Sequence, residues 1–139
     1  MTKQFMIGAS VLGAVLIATP IFARAQGTDI GKQEYQSHCA VCHGSSGKGD
    51  GPLAGILKKK IPDITMLRKN NKGVFPVQRV YDIIDGVKPV EGHGTRDMPV
   101  WGNVYMKQAP AFVSPYAQAE FVTARILALI GYMDSLQAK

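Results

Sequence analysis

The chain has 139 residues, 46% of them hydrophobic and 19% charged, with a formal net charge of +6. That length is one domain's worth. The basic residues are spread too evenly for a nucleic-acid surface, since neither an Arg-rich arm nor a basic helix stripe is present.

The N-terminus reads as an export signal. A lone lysine, Lys3, precedes an apolar run from Phe5 to Ala18, then Pro20 and small residues at Ala23 and Ala25. This pattern predicts a signal over 1–25, cleaved after Ala25, and a single domain over 26–139 in the periplasm. The alternative is an uncleaved anchor facing the periplasm, but Phe5 to Ala23 is near the lower length limit for a spanning helix and Pro20 sits badly inside one. Cleavage removes 25 of the 139 residues and leaves 114; Lys3 and Arg24 go with it, so +6 becomes +4. A domain of that size buries only about two-thirds of the surface its unfolded chain exposes, so a staple is expected.

A first helix is predicted from about Asp29 to Val41, with Thr28 or Asp29 as N-cap. Gly31, Tyr35 and Cys39 recur along one face of it. Gly44 to Pro52 is a glycine-rich loop. Lysines 58, 59 and 60 follow, and then Asp63 or Thr65 as the cap of a short turn. Pro76 opens a second helix to about Asp85, with Val77, Val80, Tyr81 and Ile84 as its apolar stripe and Gly86 as its stop. Val87 to Pro110 reads as irregular. Ser114 and Pro115 open the last helix, which runs to about Leu136 and turns Phe121, Val122, Ile126, Leu129, Ile130 and Met133 inward. No stretch alternates with a two-residue period, so the predicted fold is small and mainly α. Two long irregular segments, about 44–63 and 87–113, make sense if they wrap a large apolar object.

Both cysteines lie in His38-Cys39-Ala40-Val41-Cys42-His43-Gly44. Three chemistries use Cys-x-x-Cys. A zinc site would need two of His38, His43 and His93 to complete four ligands, yet His38 and His43 diverge from the cysteines on a helix. A redox dithiol belongs at the start of a helix in a βαβ setting, whereas this motif closes one. Haem attachment accounts for every position: each thiol adds to one vinyl group, and His43 then lies under the iron as an axial ligand.

At these residues the chain resembles the small class I cytochromes c, over nearly the whole length after the signal. Cys39-Ala40-Val41-Cys42-His43-Gly44 is similar to the haem motif of that family, and Gly47-x-Gly49-Asp50-Gly51-Pro52 to the loop after it. The resemblance implies one covalent haem c, an axial His43 and a hydrogen bond from its other ring nitrogen to the Pro52 carbonyl. It also implies a crossing of first and last helices through Gly31 and Tyr35 against Leu129 and Tyr132.

Met98-Pro99 resembles the family's distal-ligand motif, which makes Met98 the preferred sixth ligand and His93 its rival. Met/His coordination favours ferrous iron and raises the potential. Met133 reads as core, Met66 and Met106 as loop packing, and His38 as exposed or a local hydrogen-bond donor. Arg96 and Trp101 are candidate donors to the haem propionates. With both axial positions filled, the implied function is one-electron transfer between redox enzymes of a respiratory chain rather than catalysis. The second reading is a sensor or peroxidase-like haem with a displaceable sixth ligand. Lysines 48, 58, 59, 60, 69, 72 and 88 are candidates for a rim that docks acidic redox partners.

Overall fold

The computed structural model describes residues 29–57, 60–88 and 99–139, and all regular structure within them is helical. Helix α1 runs over 29–43. It is not uniform: a π-helical turn, Tyr35–Cys39, interrupts it, in which the Ala40 N–H donates to the Tyr35 carbonyl, and Ala40–His43 completes the α-helix. Such widened turns collect at functional sites, and this one delivers the chain into Ala40-Val41-Cys42-His43.

Helix α2 spans Val77–Asp85 behind Pro76, and its last turn closes with the Gly86 N–H donating to the Asp82 carbonyl. The predicted stripe holds for Val80 and Ile84, which are buried; Tyr81 is half-buried, while Val77 is 47% exposed. Val77 is the first helical residue, so it lies at the rim rather than over the core. Helix α3, Trp101–Gln108, corrects the sequence reading, which took 87–110 as irregular. Helix α4, Pro115–Ser135, begins as expected, with the Ser114 hydroxyl accepting from the Ala117 N–H at 3.2 Å.

Helix α4 packs against both α2 and α3. The core joins Val122, Ile126, Leu129, Ile130 and Met133 of α4 to Tyr35, Phe75, Val80, Ile84, Trp101 and Tyr105. Met133 is therefore core, as read from its place in the apolar stripe. Met106 instead lies on α3 and is 42% exposed, so it is not packed in a loop.

The crossing of α1 and α4 depends on a missing side chain. A Cβ on Gly31 would stand 2.6 Å from the Ala128 carbonyl carbon and 3.1 Å from the Leu129 nitrogen. Beside that contact the Tyr35 and Tyr132 rings pack with centroids 5.3 Å apart. The predicted Gly31, Tyr35, Leu129 and Tyr132 crossing is therefore present. The far end of α4 is fixed by a short turn, Ile64–Met66, capped by Asp63, whose carboxylate accepts from the Thr65 N–H at 2.9 Å. Ala138 N–H donates to the Thr65 carbonyl, and Gln137 donates to that of Ile64, each at 2.9 Å.

Candidate functional site

A helix end leaves its last four carbonyls without helical donors. In α1 those carbonyls belong to Val41, Cys42, His43 and the capping residue Gly44, the closing residues of the motif itself. The glycine-rich loop returns beneath them and supplies the donors. After the last helical bond, from Gly44 N–H to Ala40, Leu53 N–H reaches Val41 at 2.9 Å, Gly51 N–H reaches Cys42 at 3.2 Å, Gly49 N–H reaches His43 at 2.8 Å and Gly47 N–H reaches Gly44 at 3.1 Å. The approach is close: a Cβ on Gly51 would lie 2.6 Å from the carbonyl oxygens of both Ala40 and Val41. The loop is thus a backbone cap for the motif, held further by the fully buried Tyr35, whose hydroxyl donates to the Gly44 carbonyl at 2.7 Å. Burial raises the Tyr35 phenol well above its ordinary value.

Both cysteines are free thiols and partly buried. Cys39 packs against the hydrophobic core. Burial, with smaller contributions from the Glu34 carboxylate and Cys42, pushes its thiol up to about 12. A reactive redox cysteine needs the opposite shift, so this environment disfavours dithiol chemistry. Among the described residues, no three His, Cys, Asp or Glu side chains converge as a metal site. His43 follows directly, with its Nδ1 buried. Pro52 is exposed at the end of the capping loop. Two free thiols three residues apart, an adjacent imidazole and a loop that caps the motif through backbone alone fit a covalently held haem. Cys39, Cys42 and His43 would hold it.

A second cluster flanks Cys39, and no sequence signal had paired its members. Glu34, one turn before Cys39, is 7% exposed. Its carboxylate pairs with Arg125 of α4, and His38 Nε2 lies 3.8 Å away. The Arg125 guanidinium also sits over the Tyr105 ring, 5.2 Å from its centroid. Burial, with the Glu34 charge adding to it, pushes the Tyr105 phenol upward. A buried carboxylate is costly without a partner, and Arg125 provides one.

Trp101, a propionate-donor candidate, is buried against this cluster. Its ring lies 4.9 Å from that of His38 and 5.9 Å from that of Tyr105. His38 is accordingly half-buried against an aromatic ring rather than freely exposed, with its Nε2 turned to the local Glu34 carboxylate. Met98, His93, Arg96, Lys58 and Lys59 lie outside the described residues, as does the 1–25 segment.

The comparison that decides the family is with protein-family models: the one described as Cytochrome c matches residues 28–137. The chain belongs to the cytochrome c family. No curated protein and no solved structure gives a match. The helical fold agrees with the family, whose members carry covalently bound haem c and in general carry electrons rather than catalyse reactions. The family match covers both halves of the site, the Cys39–His43 motif and the α4 helix that crosses it.

Proposed function

We propose that this cytochrome c is a periplasmic one-electron carrier holding one haem, with His43 and Met98 as axial ligands, and that it shuttles electrons between respiratory enzymes, free or as a subunit of a redox complex. The observation that carries the reading is the placement of Cys39-x-x-Cys42-His43 at a helix end whose carbonyls are all capped by loop backbone. The haem supplies reversible one-electron exchange at its iron. The chain's own part is to attach it through Cys39 and Cys42, to offer an imidazole from His43 and a thioether from Met98, and to keep water away with Tyr35, Ile64, Phe75 and the α4 face. Pro52 is the proposed acceptor for the other His43 ring nitrogen, and Arg96 and Trp101 are proposed propionate partners.

The partners proposed are acidic redox proteins. Lys48, Lys60, Lys69 and Lys72 are exposed and available for docking. Lys88 is engaged by Asp82 at 3.2 Å, though its side chain is still 67% exposed. None of the described helices is long and apolar enough to cross a membrane. The export segment 1–25 is proposed to be cleaved.

Spectroscopy of the purified protein tests the reading. A near-infrared sulfur-to-iron band in the oxidised form, with slow or absent carbon monoxide binding in the reduced form, is expected of the carrier. Rapid carbon monoxide binding without that band would instead support the sensor or peroxidase-like alternative.

A further inference from the structure

Chain segments 85–88 and 99–102, on either side of Met98 in the sequence, meet in the fold. A Cβ on Gly102 would stand 2.7 Å from the Asp85 carbonyl oxygen, and one on Gly86 would stand 3.2 Å from Val100 Cγ2. The two described stretches that flank residues 89–98 in the chain therefore touch. Bringing two separated points of a chain together costs entropy, and that cost is met by whatever holds them. On the α2 side the hold is the packing of Val100 and Gly102. On the α1 side it is Trp101, 7% exposed, whose ring lies against His38 and Tyr105. His38 immediately precedes Cys39, and its other neighbour is the Glu34–Arg125 pair that locks α1 to α4. The attachment helix is thus joined by an aromatic contact, His38 to Trp101, to a residue three positions after Met98 in the chain.

We propose that Trp101 is a positioning residue for the sixth ligand: packed against His38, it ties the chain just after Met98 to the haem-attachment helix and keeps the thioether from exchanging with outside ligands. This rests on Met98 as the sixth ligand. The aromatic contact is strong enough to matter: removing such a ring pair shifts a two-state equilibrium by up to about tenfold. An exogenous ligand that competes with the thioether reads that shift directly.

The test is a cyanide titration of the oxidised holoprotein, followed optically well below the melting temperature. Trp101→Ala is expected to raise cyanide affinity about tenfold, Trp101→Phe to return most of the way to the parent value, and His38→Ala to shift it in the same direction by less. Ser114→Ala, at the far cap of α4, serves as the stability control and is expected to lower the melting temperature without moving cyanide affinity. His38→Ala keeps the inference testable should Trp101→Ala fail to fold. Parent-like cyanide affinity in both Trp101→Ala and His38→Ala, beside a clear increase in Met98→Ala, would overturn the positioning role while leaving the ligand intact. A parent protein that binds cyanide as tightly as Met98→Ala, with no sulfur band in either, would remove the ligand assignment and the inference with it.

Discussion

Gly31 and Ala128 meet backbone to backbone where α1 crosses α4, so closely that a Cβ on Gly31 would overlap the Ala128 carbonyl. Both neighbours are helical main chain, so neither can swing aside as a side chain would. Gly31→Ala should therefore separate the helices and cost about 1–3 kcal/mol or more, in the range of overpacked cores. A denaturant titration of the holoprotein checks this, and a midpoint equal to the parent's would show that the crossing yields freely.

Gly51 makes the same kind of contact one level closer to the chemistry. Gly51→Ala would push a methyl group between the Ala40 and Val41 carbonyls and lift the capping loop from the motif. The expected outcome is a lower melting temperature and a smaller fraction of chains carrying haem. Equal haem content per chain in variant and parent would contradict it.

These contacts show what the sequence could disclose. Gly31, Tyr35 and Cys39 at four-residue spacing, the Asp63 turn and the Ser114-Pro115 start were all legible, because each follows from local rules for faces and caps. Helix α3 was not. Trp101, Val104 and Tyr105 have helical spacing, but Gly102 and the flanking Pro99 and Pro110 masked an element of only eight residues. The Glu34–Arg125 pair was also hidden. Its members are 91 residues apart, and a charge on a helix face ordinarily predicts solvent. The π-helical turn before Cys39 had no sequence signal that we could identify.

Tyr35→Phe removes the hydroxyl that donates to the Gly44 carbonyl. That carbonyl still accepts from the Gly47 N–H at 3.1 Å, so it is not left bare. The loss should be near the low end for a buried hydrogen bond, about 1 kcal/mol. Urea unfolding of the two holoproteins measures it, and a loss above about 3 kcal/mol would mean the hydroxyl does more than hold this one carbonyl.

Acid should weaken the fold through two carboxylates. The Thr65 hydroxyl, and secondarily its backbone N–H, hold Asp63 below the ordinary carboxylate range; Gln78 and then Lys88 do the same for Asp82. Because the folded values are lowered, the stabilisation is present above the unfolded value of about 4 and is lost as pH falls through the folded ones. Replacing both by asparagine should flatten the dependence of stability on pH below about pH 4. Identical acid limbs in parent and double variant would assign acid unfolding to other groups.

The most direct test of the haem claim is the intact mass of the protein purified from the exported fraction after acid denaturation. The mass of one haem added to a chain beginning at Gln26 is predicted, with the addition lost when Cys39 and Cys42 are both replaced by serine. A parent chain whose mass is that of the polypeptide alone would contradict the account.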